Sequence, residues 1–295
     1  FVGSVRCVYE TVEGVIPFPT TPDGIWNDDR LDSMTRGLFD GGRRSHFSNF
    51  TAPSNRSVID LQDLLERAPA DMLQALERET GVLMQRTQRG AASPFIRGLT
   101  GQQVLILIDG IRMNNATFRT GPNQYFNTID PGVVDHIEVI RRPQTVLWGS
   151  DAMGGVINVV TRRTPVDALL NDPLRTWTSR YSSADGGIYT RLNYQFQKGD
   201  TRVFAGSGYG NFNDLDRGGD LGRQLATAYS QYSGDVRVDR LITENQAVTL
   251  SVQHFEQHDV FRTDRFPSRR TIVDPQQRSN AYVRFQGCLL YTSDA

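Results

Sequence analysis

Hydrophobic and polar residues alternate along this chain with two different periods, and the change falls near Thr164. Before it, Leu61, Leu64 and Leu65 share one face of a helix, and Met72, Leu73 and Leu76 share a face of a second helix that Gly81 stops. Short β-type runs follow at Val82–Gln85, Phe95–Arg97, Gln103–Asp109, Ile137–Ile140 and Val156–Thr161. Val104–Ile108 is apolar throughout, as in a strand buried on both faces, so Val104–Asp109 is expected at the centre of a small sheet. Two helices followed mainly by strands predict an α+β unit.

After Thr164 the period becomes two. Ile188, Thr190, Leu192, Tyr194 and Phe196 fall on one face of a strand, and Tyr189, Arg191, Asn193, Gln195 and Gln197 on the other. Val236 and Val238 oppose Asp235, Arg237 and Asp239 in the same way; Val248, Leu250 and Val252 oppose Thr249, Ser251 and Gln253. About six strands are expected: Arg175–Ser183, Ile188–Gln197, Thr201–Phe212, Leu225–Asp239, Ala247–Gln257 and Ser279–Gly287. The links Lys198–Asp200 and Arg240–Gln246 are short, whereas Asn213–Gln224 and His258–Arg278 are long and polar; Ala184–Gly187 is tight. Short links at one end and long ones at the other suit a transmembrane barrel, yet a soluble antiparallel sheet with one wet face has the same periodicity.

The Gly-rich segment Ile137–Thr161, IEVIRRPQTVLWGSDAMGGVINVVT, joins two of the early strands. Pro143 can open a short helical turn, and Gly149, Gly154 and Gly155 supply backbone freedom or close approach. No Gly-Lys-Ser/Thr and no G-x-G-x-x-G follows a strand, which removes the nucleotide reading. With Phe95-Ile96-Arg97-Gly98 and VLILIDG (Val104–Gly110), the segment resembles the plug domain of TonB-dependent outer-membrane receptors over about Asp60–Arg163. The resemblance implies an α+β plug domain followed by an incomplete antiparallel transmembrane β-barrel, in the outer membrane of a Gram-negative bacterium. Plugged barrels of this kind have roughly 22 strands. The expected organisation is a flexible extension over 1–55, a plug over 56–165, the start of a barrel over 173–287, and a tail over 288–295. That tail, CLLYTSDA, matches the translation of a sequencing adapter.

Composition changes this picture little. The 295 residues are 38% hydrophobic and 22% charged with a net charge of −1 and no basic cluster, which argues against nucleic acid as a partner. Cys7 and Cys288 support neither a disulfide framework nor a metal site. No catalytic motif occurs, so an enzyme is not expected, and no cofactor or resident metal is. His254 and His258 flank Glu256, but four residues along a strand places them about 13 Å apart, too far to share one ion.

Arg97 and Arg141 lie on short strands whose neighbours should be buried, so their guanidinium groups must be paired, locally with Glu138 or Asp109. The resemblance implies instead that these arginines face carboxylates on the inner barrel wall. It also marks Gly98, Asp109, Gly110, Glu138, Pro143, Gly149, Gly154 and Gly155 as plug motif positions, with Arg142 standing where the family usually has Gly. The polar stretch Arg112–Asn127 would form an apical loop in which Arg112, Asn114, Asn115, Arg119, Asn123 and Tyr125 offer donors and an aromatic surface to a ligand. Asn114–Arg119 and Asp259–Phe266 look like stretches of the haem or iron-protein branch, and Glu10-Thr11-Val12 loosely resembles the TonB box. The expected partners are a TonB-type periplasmic energy-coupling protein, a small-molecule or iron-chelate ligand such as haem or a ferric siderophore, and outer-membrane lipid. The rival readings are a signalling or adhesion protein with a plug but no transport, and a soluble β-rich enzyme.

Overall fold

A computed structural model describes residues 56–114, 125–164, 173–243, 246–263, 267 and 272–287. Glu10, Thr11, Val12, Asn115, Arg119, Asn123 and the tail 288–295 lie outside them.

The first unit opens with β1 (Arg56–Ile59), then α1 (Leu61–Arg67) and α2 (Met72–Leu76). Both helices begin where an aspartate can cap them. Asp60 accepts the Asp63 N–H at 2.8 Å and Asp71 accepts the Gln74 N–H at 2.9 Å, satisfying donors the first turn leaves open. Ala68 ends α1 in the left-handed region, at φ 43°. The second helix stops at Leu76, short of Gly81, which instead turns the chain at φ 76° into β2 (Val82–Gln88). β2, β3 (Ala91–Ile96) and β4 (Leu99–Thr100) make a small antiparallel sheet.

A five-stranded sheet carries the core. It adds β5 (Val104–Ile108), β6 (Ile111–Arg112), β7 (Val134–Ile140) and β8 (Gly155–Thr161), in the order β1-β7-β8-β5-β6. The central place belongs to β8 rather than to Val104–Ile108, because β5 pairs parallel with β8 on one side and has only the two-residue β6 on the other. β5 is nonetheless buried on both faces. Val104, Ile106 and Ile108 pack with Leu64, Met72, Leu76 and Phe126, while Leu105 and Leu107 pack with Ile140, Ala152 and Val156. The turn α3 (Thr145–Trp148) begins two residues after Pro143 and ends at Gly149.

The second unit is an antiparallel meander. Its strands are β9 (Leu174–Ser182), β10 (Gly187–Lys198), β11 (Thr201–Phe212), β14 (Tyr229–Thr243), β15 (Gln246–His258) and β18 (Gln276–Gly287), each paired with the next. The long links hold two-residue hairpins, β12 (Leu215–Asp216) with β13 (Arg223–Gln224), and β16 (Val260–Phe261) with β17 (Ile272–Val273). Leu225, expected to open a strand, is exposed in the link ahead of Tyr229. β10 and β11 pair from Ile188↔Asn211 to Lys198↔Thr201 about a turn at Gly199–Asp200.

The two faces of the meander differ as the alternation requires. Tyr189, Arg191 and Asn193 are buried toward the first unit; Ile188 and Leu192 on the other face are 54% and 56% exposed. Among the described residues no second sheet covers that apolar face. No described helix is long and apolar enough to cross a membrane.

Candidate functional site

The first unit seats on the polar face of the meander through a row of buried charges. The row starts at the end carrying the long links. There Arg89, in the turn between β2 and β3, pairs with Asp185 of the β9–β10 link, donates to the Asn213 carbonyl at 2.9 Å, and lies 5.5 Å from the ring centres of Phe212 and Tyr229. Nearby, Asp71 pairs with Arg86 at 2.7 Å. Burial pushes the Asp71 carboxyl up, against the opposing pull of the Arg86 guanidinium.

Four residues further into the strands lies the densest contact. Asp130 caps a short 3-10 turn, Pro131–Val133, by accepting the Gly132 N–H at 2.8 Å. Its carboxylate also accepts the Tyr189 hydroxyl at 2.7 Å, Arg191 Nη1 at 2.8 Å and the Ser233 hydroxyl. Nη2 of Arg191 turns to Asp235, and its Nε donates to Asn193 at 2.8 Å. Burial alone would raise the Asp130 carboxyl, but Arg191, Ser233, Tyr189 and the Gly132 N–H together hold it below the usual carboxylate range.

Glycines make this approach possible. A Cβ on Gly206 would lie 2.1 Å from Arg191 Nη2, one on Gly208 2.9 Å from the Asp130 carboxylate, and one on Gly132 2.5 Å from the Tyr189 hydroxyl. The inward side of β11 reads Gly206, Gly208, Gly210, a bare strip on which the first unit can lie close.

The third contact is Asp109, in the turn between β5 and β6 at φ 51°. Its carboxylate accepts the Thr161 N–H at 2.8 Å, the Thr161 hydroxyl at 2.7 Å and the Tyr282 hydroxyl at 2.8 Å. Arg237 Nη1 stands 3.8 Å away, while Nε of the same residue holds Asp239 at 2.9 Å; Arg284 donates to the Asp109 carbonyl. Near the short-link end Thr164 and Arg202 close the row, with the Thr164 carbonyl accepting from Arg202 at 3.0 Å.

Several sequence expectations change here. Arg97 is not a buried strand residue: it is exposed, at φ 55°, in the β3–β4 turn beside Gly98 at φ 80°. Arg141 is largely buried, and among the described residues it bonds the Ser57 hydroxyl at 2.8 Å and pairs with Glu79 at 3.9 Å rather than with Glu138 or Asp109. Glu138 is held by Arg56 at 2.9 Å and Asn158 at 3.0 Å. Among the described residues neither Arg97 nor Arg141 meets the meander through a charge; the contacts to it run mainly from aspartates of the first unit to arginines of the second. Arg142 is not left-handed, so nothing there demands glycine.

Gly154 and Gly155 serve close packing, since a Cβ on Gly155 would stand 2.3 Å from the Ile140 carbonyl. Gly149 and Gly110 take positive φ, while Pro143 is exposed. Of the ligand candidates, Arg112 holds Asp151 at 2.8 Å and the Trp148 carbonyl at 2.7 Å. Asn114 is buried and bonded to both Ile106 N and Val104 O at 2.9 Å, doing the work of a neighbouring strand for β5. Tyr125 is buried in the core. The Asn114 amide is engaged in the fold because β5 has a short neighbour and needs its backbone satisfied. His254 and His258 both lie beside Glu256, at 3.5 and 3.0 Å, but among the described residues no group of His, Cys, Asp or Glu is arranged to hold a metal ion.

Residues 48–156 match the TonB-dependent Receptor Plug Domain family. On that match the chain carries a TonB-dependent receptor plug. Its first unit is the plug and the meander is part of the barrel, so the receptor is an outer-membrane protein of a Gram-negative cell. A vitamin B12 transporter, BtuB, of Vibrio vulnificus is 41% identical over 110 residues, which are 37% of this chain and 18% of that protein. An iron-regulated outer membrane virulence protein of Vibrio cholerae is 40% identical over 119 residues, again 18% of its length. The chain thus matches less than a fifth of these relatives. The ferric enterobactin receptor PfeA of Pseudomonas aeruginosa superposes with a TM-score of 0.60 at 18% identity, covering 81% of this chain and 39% of that one. The siderophore receptor PirA of Acinetobacter baumannii gives 0.59 at 20% identity, covering 80% and 38%. At these identities the likeness is one of fold.

Aspartate-to-arginine seating was not found from sequence. Its signal was present: Asp235, Arg237 and Asp239 stand alternately in β14, and charged residues on the face opposite a run of valines must point at something polar.

Proposed function

We propose that this receptor imports a scarce iron chelate, a ferric siderophore in preference to haem or cobalamin, with its plug as the gate. The observation that carries the reading is the plug seated by buried charge against a sheet whose other face is apolar, because such a body blocks a conduit that only its own displacement opens. The likeness to a V. cholerae protein whose name records regulation by iron supports the choice of cargo. Energy would come from a TonB-type periplasmic protein pulling on the N-terminal segment by strand addition, with Glu10, Thr11 and Val12 as the place of attachment. The plug and the meander serve transport rather than turnover.

The test is uptake of radio-iron as siderophore chelate, of haem, and of labelled cobalamin into cells lacking their own receptors and supplied with the complete gene. Uptake of the ferric siderophore that vanishes without the TonB-type protein is expected. Uptake of cobalamin or haem alone would reassign the cargo, and uptake independent of the energy-coupling protein would overturn the gate.

A further inference from the structure

Arg191 and Arg237 sit in the barrel wall in the same way. Each shares its guanidinium between one wall aspartate and one plug aspartate. Arg191 gives Nη2 to Asp235 and Nη1 to Asp130; Arg237 gives Nε and Nη2 to Asp239 and turns Nη1 toward Asp109 and the Thr161 hydroxyl. Arg191 lies level with Ser233 across β11, and Arg237 is four residues further along β14, about 13 Å down the wall. The rest of this face is also basic, since Arg180, Arg202, Arg278 and Arg284 join these two on the plug side against Asp235 and Asp239.

Two consequences follow from this arrangement. With the plug seated, Arg191 is hydrogen-bonded along both edges, while Arg237 Nη1 faces Asp109 at 3.8 Å and the Thr161 hydroxyl at 3.5 Å. When the plug moves away, the pair within the wall keeps its partner, but one N–H edge of each arginine loses the acceptor the plug supplied and must take another, from water or from a solute. The space before Arg191 is held open by Gly132, Gly206 and Gly208, none of which tolerates a Cβ beside the guanidinium or its carboxylate. A carboxylate-like group arriving from elsewhere would meet the geometry that Asp130 now fills.

We propose that Arg191 and Arg237 are exchangeable anion sockets, filled by Asp130 and Asp109 while the plug is seated and open to the anionic oxygens of a solute once those carboxylates are withdrawn. This deepens the importer reading and rests on it for its role in transport: an anionic chelate passing along this wall would be handed from the upper arginine to the lower. The occupancy of the sockets itself requires no transport.

The test is chemical rescue in the full 295-residue chain refolded in detergent micelles, without cargo or energy-coupling protein. Asp130→Gly empties the upper socket, and amide exchange of residues 125–134 reports whether the plug edge stays seated. Acetate should slow that exchange about tenfold once its concentration is about ten times its dissociation constant. Acetamide should have no effect, the parent chain should not respond, and Arg191→Gln placed in the Asp130→Gly chain should abolish the response. Asp109→Gly gives an independent measurement at the lower socket, read at residues 109–114 and cancelled by Arg237→Gln; glycine suits the positive φ there. Rescue by acetamide, rescue that survives loss of the arginine, or no rescue at either socket would overturn the proposal. Failure of uptake with rescue intact would remove the importer reading and leave the sockets standing.

Discussion

Asp130 and Asp71 are both capping aspartates at the plug edge, and burial raises both carboxyls, yet their net shifts are opposite because only Asp130 has enough donors to outweigh burial. The Asp130 carboxyl is depressed, so its contribution to stability is present above the ordinary carboxylate range, about pH 4, and is lost as pH falls through its lower folded value. Asp71 is raised, so the native state binds its proton more tightly and stability falls as pH rises from about 4 through the folded value. Asp71→Asn, which keeps the cap, should therefore remove that part of the decline when unfolding is followed from pH 4 to 7 in micelles; an unchanged pH profile would count against it. Glycine positions separate in the same way. Gly155→Ala drives a Cβ into the Ile140 carbonyl and should cost about 1–3 kcal/mol by overpacking. Gly98→Ala meets nothing within 4 Å and should cost only the strain of its positive φ, about 1 kcal/mol. Urea unfolding of the two variants checks the order.

At the level of elements, the meander divides its work between faces. β10 places Tyr189, Arg191 and Asn193 against the plug and Ile188 and Leu192 against what lies outside, and in an outer-membrane barrel that is hydrocarbon. Leu192→Arg should accordingly disfavour bilayer insertion by about 2–4 kcal/mol if the position is near the midplane. The same change should leave plug exchange untouched, since the side chain points away from it. Vesicle flotation of the receptor made from the complete gene, together with amide exchange of its plug, tests both halves of this expectation.

For the molecule as a whole, the two units have different needs. The plug completes its own core, with β5 and β8 buried among its own apolar residues, whereas among the described residues the meander leaves β9 and β18 with one unpaired edge each. Unpaired edges beside an apolar face recruit other chains in water and are unsatisfied in hydrocarbon. The 295-residue chain without detergent should therefore sediment as aggregates, while a chain ending at Arg163 should stay monomeric with the circular dichroism of an α+β fold. Monomeric behaviour of the longer chain in plain buffer would contradict this view of the meander.

Local pattern determined a large share of this protein: the helices at Leu61 and Met72, the doubly buried Val104–Ile108, and the alternation of β10, β14 and β15, because each rests on the spacing of apolar residues a few positions apart. The glycine-rich motif was legible for the same reason. Pattern could not determine partners distant in sequence. Whether Arg97 is buried depends on a left-handed turn that places it outside, and Arg141 found Glu79 and Ser57 because β1 pairs with β7. Asn114 looked like a ligand donor until the short β6 left β5 in need of a backbone partner. Asp109 and Asp130 met Arg237 and Arg191 only because the plug lies on the charged face of the meander, a contact between residues about 60 to 130 positions apart. Buried charge must be paired, and tertiary structure alone decides with what.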